Sequence, residues 1–292
     1  MPDLVDLHLH STFSDGVLTP TELVAEAAAI SLRAIALADH DNVDGVPEAL
    51  AAGRQYDVEV IPAVELSVLW EELSDIHLLG YAFDHEHPGL QKALAEFRAF
   101  RAGRSERILA NLNHKLVGEG REPLDFKDIR ERAGGTIGRP HIGQALLAAG
   151  CVRDMEEAFT RYLVPCNEPK RFFPLEEAIT LIHDAGGCTV LAHPVFIGVD
   201  EARLSELLDA FIAAGLDGLE AYSSGAGNDG IDRYITMARR KNLIVTGGSD
   251  FHQPIAGGVV MGAGRGNLKI PYRCVEEIRA AVEKNRQRHS PV

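Results

Sequence analysis

The feature that most constrains this chain is a repeated change of hydrophobic period. Short β-rich runs at Leu4 to His8, Ala34 to Asp39, Val58 to Val68, Ile76 to Ala82, Thr189 to Ala192, Gly218 to Tyr222 and Ile244 to Gly248 alternate with amphipathic, Ala/Leu/Glu-rich segments. Those segments include Pro20 to Ile30, Leu175 to Ala185, Glu201 to Ala214 and Asp229 to Lys241, and Gly186, Gly215 and Asn242 act as stop signals. The alternation predicts an α/β fold with a parallel sheet closed by right-handed crossovers, an incomplete or distorted (β/α) barrel. Runs such as Ala34-Ile35-Ala36-Leu37-Ala38 suit strands buried on both faces. The rhythm breaks between about Phe97 and Pro169, where the pattern is helical. A helical insertion is therefore expected between strands four and five, with 1–97 and 170–292 forming the barrel and 98–169 the insertion.

Barrels of parallel strands gather functional groups where strands end, and this chain concentrates ionisable residues there. His8 and His10 are two apart on the first strand and share a face with Asp6. Alone, that pair is also consistent with ordinary polar strand residues. Asp15 lies in the next loop, Asp39-His40-Asp41 ends the second strand, and Glu65 lies late in the third. His77 falls in the fourth, His193 ends the fifth, and Asp250 and His252 follow the seventh. Buried together, such groups need compensating charge, which divalent cations supply. His8, His10, Asp15, His40, Glu65, His77, His193, Asp250 and His252 are too many ligands for one ion, so two or three ions are expected, with Glu65 as the natural bridge. Carboxylate and imidazole donors suit Mn²⁺, Mg²⁺ or Fe²⁺ and admit Zn²⁺.

Composition narrows the partners. A formal charge of −14 argues against a duplex-DNA binder, which needs Lys and Arg on phosphates. The absence of an apolar leader or a long apolar run points to a cytoplasmic protein without membrane contact. Cys151, Cys166, Cys188 and Cys274 form no C-x-x-C pair and are expected to be reduced thiols.

The motifs Asp6-Leu7-His8-Leu9-His10-Ser11, Ala38-Asp39-His40-Asp41-Asn42, Glu65-Leu66-Ser67, Ala192-His193-Pro194 and Gly248-Ser249-Asp250-Phe251-His252 resemble those of the PHP (polymerase and histidinol phosphatase) family. The resemblance implies a distorted (β/α)7 barrel and a metal cluster, usually trinuclear, with Mn²⁺ the foremost ion. It also implies three sites: His8, His10, Glu65 and Asp250; Glu65, His77 and His193; and Asp15, His40 and His252. Several family members carry histidine at the position of Asp15, which sets the third site apart.

Between strands four and five, Gly134-Gly135-Thr136-Ile137-Gly138-Arg139-Pro140-His141 resembles the small nucleotide phosphoesterases of the family. That resemblance implies removal of the 3'-phosphate from nucleoside 3',5'-bisphosphates, giving 5'-monophosphates. Its alternative is 5'-to-3' exonuclease release of mononucleotides from short single-stranded oligonucleotides. The residues agree: Pro140 suits the first turn of a helix, Gly135, Thr136 and Gly138 leave backbone N–H groups accessible to an anion, and Arg139 offers a bidentate contact. A glycine-rich turn with a solvated arginine is the plain alternative. Arg98, Arg101, Arg104 and Arg107 recur every third residue; Arg101 and Arg104 are the favoured phosphate binders, against a solvated face paired with Glu96 and Glu106. His193, Asp39 and His141 are the candidate general acids. Two other classes remain open, a barrel amidohydrolase acting on C–N bonds and a noncatalytic metal-binding module.

Overall fold

The computed structural model describes residues 3–133 and 137–289, so Gly134, Gly135 and Thr136 of the proposed anion loop lie outside the described residues. The chain divides into two compact units, one of Met1–Leu94 with Phe172–Val292 and one of Ala95–Arg171.

The strands are β1 (Val5–Leu9), β2 (Ala34–Leu37), β3 (Glu59–Trp70), β4 (Leu73–Tyr81), β5 (Phe173–Pro174), β6 (Cys188–Leu191), β7 (Gly218–Ser223) and β8 (Ile244–Gly248). The helices are α1 (Pro20–Ala29), α2 (Val46–Tyr56), α3 (Pro88–Gly118), α4 (Phe126–Ala133), α5 (Arg139–Ala148), α6 (Met155–Glu157), α7 (Leu175–Asp184), α8 (Glu201–Ala214), α9 (Asn228–Arg240) and α10 (Arg273–His289). Local chemistry sets several boundaries. Thr19 and Glu22 form a reciprocal capping box ahead of Pro20 in α1, and Asp200 caps α8, which stops at Gly215 with φ 113°.

The sheet of the first unit runs β1-β2-β3-β4-β6-β7-β8, with β5 beside β3. It is a nearly closed barrel. Across the seam, the Asp250 N–H donates to His8 O and the His10 N–H donates to Phe251 O, both at 3.0 Å. Only glycine fits at the end of β8, because a Cβ on Gly248 would meet His8 Cβ at 2.0 Å. β1, β2 and β6 are buried throughout, and on the α1–α2 side Leu9, Leu23, Ile35, Leu37 and Phe251 pack into one cluster.

One expectation fails. The sheet is not wholly parallel, since β4 runs antiparallel to both β3 and β6. The reason is local: only Glu71 and Glu72 separate β3 from β4, and Glu71 adopts φ 51°. A connection that short makes a hairpin, whereas a parallel crossover needs a dozen or so residues. The two-residue β5 was also absent from the sequence pattern.

The second unit has its own core, in which Ile108, Leu112 and Leu116 of α3 meet Ile142 and Leu146 of α5 and Tyr162. A π-helical stretch, Ala158–Leu163, continues α6. All four cysteines are free and buried, and among the described residues no helix is long and apolar enough to cross a membrane.

Candidate metal centre

Glu65, fully buried in β3, stands among five imidazoles. Its Oε2 is 3.2 Å from His8 Nε2, 3.3 Å from His10 Nε2 and 3.0 Å from His40 Nδ1. Its Oε1 is 2.7 Å from His77 Nδ1 and 2.9 Å from His193 Nε2. The strand pleat explains the first pair, because residues two apart on β1 face the barrel interior while Leu9 turns into the helix-side core. His40 bridges to Glu65 just beyond β2, and His77 lies opposite Ser67 in the β3–β4 ladder.

Two carboxylates complete the cluster. Asp250 Oδ1 is 3.1 Å from His10 Nε2 and 3.6 Å from His8 Nε2. Asp15 Oδ1 is 3.3 Å from His252 Nε2, and its Oδ2 is 3.7 Å from His40 Nε2. Ligand atoms thus fall into three sets, each within 4.8 Å: His8, His10, Glu65 and Asp250; His10, Asp15, His40 and His252; and His40, Glu65 and His77. His193 borders the last set, with Nε2 3.2 Å from His77 Nδ1. A neutral imidazole has one free lone pair, so His10 and His40, each in two sets, serve one ion apiece.

The donors fit divalent cations. His8 Nε2, both ring nitrogens of His10, and Glu65 Oε2 are buried and make no hydrogen bond among the described residues. Buried polar atoms are normally satisfied; His8 Nε2, His10 Nε2 and Glu65 Oε2 lie together, and His10 Nδ1 faces Asp15 on the other side of the ring, so these orphans mark places for positive charge.

The protein's own electrostatics agree. Burial opposes ionisation of Glu65, yet the charges of His40, His77 and His8 hold it well below the usual carboxylate range. Burial likewise opposes protonation of His8, but Glu65, Glu220 and Asp250 outweigh it and raise the ring well above its ordinary value. For His10, the Asp250 and Glu65 carboxylates beside Nε2 outweigh burial and push it up to about 10. At His40 burial wins and pulls it down to about 3. In the absence of a cation, protons therefore substitute on His8 and His10.

Around the candidate ligands lies a second set of carboxylates. Glu220, on β7, was not singled out in the sequence, yet it is buried with Oε1 3.0 Å from His8 Nδ1 and Oε2 accepting from the His193 N–H at 2.6 Å. The available signal was a charged residue between Leu219 and Ala221 in a buried strand. Asp6 accepts from the Ser249 and Gly262 N–H groups at 2.8 and 2.7 Å, and burial raises it to about 6. Asp39 accepts from the Ser11 N–H and Oγ, both at 2.7 Å, and from Ser14 Oγ at 2.6 Å. Both its oxygens are thereby engaged in holding the β1–α1 loop that carries Asp15. Backbone strain collects at the same place: His193 has φ 24° and Asp250 φ 59°.

In the second unit, Arg104 Nε donates to the Glu168 and Pro169 carbonyls at 2.8 and 3.1 Å, and Nη2 donates to Asn167 Oδ1 at 2.7 Å. Burial, then the charges of Arg139 and Arg101, lower its pKa, so several guanidinium groups gather here. His141 caps its own helix, its Nδ1 accepting from the Gly138 N–H at 3.0 Å. The guanidinium of Arg139 lies 5.7 Å from the Phe159 ring centroid. Of the remaining histidines, His183 Nε2 lies 2.7 Å from Asp217 Oδ2.

A separate cavity of about 930 Å³ lies between α8 and α9, lined by residues including Asp209, Arg233 and Lys241, and contains none of these ligands.

Residues 6–125 match the model of the PHP domain family. The chain is 34% identical over 259 residues to a 3',5'-nucleoside bisphosphate phosphatase from Chromobacterium violaceum, covering 87% of this chain and 89% of that protein. It is 36% identical over 255 residues to a 5'-3' exoribonuclease from Haemophilus influenzae, covering 85% and 90%. A solved structure of an amidohydrolase from Chromobacterium violaceum, with bound sulfate and no metal, superposes with a TM-score of 0.76 at 32% identity, covering 95% of this chain and 96% of that one. With the strand-end motifs, the barrel and these full-length relatives together, the chain belongs to the PHP domain family.

Proposed function

We propose that this protein is a divalent-metal-dependent phosphoesterase that removes the 3'-phosphate from nucleoside 3',5'-bisphosphates. The observation that carries the reading is Glu65, one buried carboxylate shared by five imidazoles and flanked by Asp15 and Asp250, a donor set for adjacent cations. In this reading His8, His10, Glu65 and Asp250 hold one ion, Glu65, His77 and His193 a second, and Asp15, His40 and His252 a third. The donors are nitrogen and oxygen only, a set that admits Mn²⁺, Mg²⁺, Fe²⁺ and Zn²⁺. When bound, such ions lower the pKa of coordinated water and neutralise the phosphoryl oxygens.

The residues themselves supply position. Glu220 fixes the His8 ring, the Asp39 clamp on Ser11 and Ser14 fixes the loop bearing Asp15, and no protein nucleophile is required. With both Asp39 oxygens engaged and His193 assigned to an ion, His141, whose Nδ1 accepts a hydrogen bond and whose Nε2 can therefore carry a proton, and solvent are left as candidates to protonate the departing ribose oxygen. Arg101, Arg104 and Arg139 are proposed to bind the 5'-phosphate, an assignment supported by their mutual proximity. The strongly acidic chain also favours a small substrate over a long polyanion.

Exonucleolytic release of 5'-mononucleotides is the second reading, supported by the similar identity to the phosphatase and the exoribonuclease. The test is Mn²⁺-supported turnover of adenosine 3',5'-bisphosphate and of 5'-phosphorylated oligoribonucleotides by wild type and Arg104→Ala. Faster turnover of the bisphosphate supports the first reading, and preference for the oligonucleotide replaces it with the second. Turnover of neither under any divalent ion removes both and returns the amidohydrolase alternative to the front.

A further inference from the structure

Among the described residues Phe196 is the most exposed of the large apolar side chains, at 65%, and it lies beside the candidate metal cluster. Single exposed apolar residues are ordinary on protein surfaces. This one differs in its setting. It sits in the 3₁₀ turn Pro194–Ile197 that directly follows the strained His193, and its ring centroid is 5.4 Å from that of His193. His193 Nε2 is in turn 2.9 Å from the shared Glu65.

The ring is also supported from behind. A Cβ on Gly225 would meet Phe196 Cζ at 2.6 Å and Val195 Cγ1 at 2.8 Å, so the glycine backbone packs directly against the ring. The surrounding loop, Ser223-Ser224-Gly225-Ala226-Gly227, is built from small residues, and Ser224 Oγ donates to the Ser249 carbonyl at 2.5 Å. One side of Phe196 is therefore braced by ordered backbone while most of the ring remains open to solvent next to the ligands.

We propose that Phe196 is the stacking platform for the substrate's nucleobase, specifically the base whose ribose carries the scissile phosphate on its 3'-oxygen. This rests on the nucleotide reading above and adds how the base is held. Phosphate and ribose alone provide polar handles; an aromatic face beside the ligand cluster provides the apolar surface a planar base needs. Stacking tolerates every base, because each has a π-face, so the platform predicts weak discrimination among bases but strong discrimination against a substrate without one. Alanine replacement of such a ring typically costs about fivefold to hundredfold in affinity.

The test compares wild type, Phe196→Ala and Phe196→Trp on adenosine 3',5'-bisphosphate and on its abasic tetrahydrofuran analogue carrying the same two phosphates. Equilibrium binding of adenosine 5'-monophosphate to the metal-loaded protein is measured alongside. Phe196→Ala is expected to raise KM for the nucleotide about tenfold or more and weaken monophosphate binding similarly. Its kinetics on the abasic analogue should match wild type, and Phe196→Trp should bind the nucleotide at least as well as wild type. Equal losses on both substrates would show a merely structural role, and unchanged nucleotide KM would remove the platform; either overturns the proposal. Wild type that turns over the nucleotide while Phe196→Ala is unaffected leaves the substrate reading standing. Wild type inactive on both substrates defeats that reading and the platform together.

Discussion

Glu220 Oε1 lies 3.0 Å from His8 Nδ1, both residues buried, so the opposite ring nitrogen of His8 is turned toward Glu65 and Asp250. A carboxylate behind a ligating imidazole fixes its tautomer and raises its basicity. Glu220→Gln is therefore expected to weaken metal affinity about tenfold to hundredfold, measured by competition with a metal chelator. Because Glu220 also accepts from the His193 N–H, the loss should exceed that of a variant at an exposed carboxylate such as Glu201→Gln. Equal affinities in the two variants would remove Glu220 from the centre.

Asp250→Asn should lower bound metal per chain together with activity. The carboxylate faces His8 and His10 as a charge, and an amide keeps the shape while discarding that charge. Elemental analysis of purified protein decides the point. Unchanged stoichiometry would take Asp250 out of the ligand set.

Chelated protein should show a pH optimum of stability that the metal-loaded protein lacks on its alkaline side. His10, raised to about 10 from 6.5, stabilises the fold fully below pH 6.5, and that contribution is lost as pH rises through about 10. His40 has the opposite sign: lowered to about 3, it stays neutral in the fold, and protonation of the unfolded chain costs stability as pH falls from 6.5 toward 3. Lowered Glu65 and Asp250 add to the acid-side loss, because their stabilisation disappears as pH falls through their folded values. Thermal melts of chelated protein should peak near pH 6.5, and bound cations, which require deprotonated rings, should flatten the alkaline limb. A chelated protein that melts higher at pH 9 than at pH 6.5 would contradict this.

Gly248→Ala tests the seam. The added carbon would meet His8 Cβ at 2.0 Å and His8 N at 2.6 Å, contacts that no side-chain rotation relieves. The expected loss is about 3 kcal/mol or more, at the upper end for overpacking, with metal content falling in parallel. A melting temperature within a degree or two of wild type would mean that β1 and β8 can part without cost.

Much of this was legible in the sequence for one reason. Groups at the ends of parallel strands converge whatever the intervening helices do, so the candidate ligands His8, His10, His40, Glu65, His193 and Asp250 are brought together by position. The direction of β4 did not, because Ile76 to Ala82 has the same composition whichever way it runs; the short link at Glu71-Glu72 carried that information. Glu220 was hidden for a different reason. Its role lies in a hydrogen bond to a residue 212 positions away, and nothing in the local pattern of β7 encodes that partner. Asp39 showed the converse: it sits among ligands in sequence but spends both oxygens on Ser11 and Ser14.

The seam between β1 and β8 also bears on when the centre comes into being. His8 and Asp250, 3.6 Å apart in space, are contributed by the first and last strands of the barrel. During synthesis the N-terminal imidazoles and Glu65 are made long before Asp250, so this set of four donors is completed only when the last strand is in place. A cation held by His8, His10, Glu65 and Asp250 together would therefore report closure of the barrel, whereas His40, Glu65 and His77 come from one early stretch of the chain.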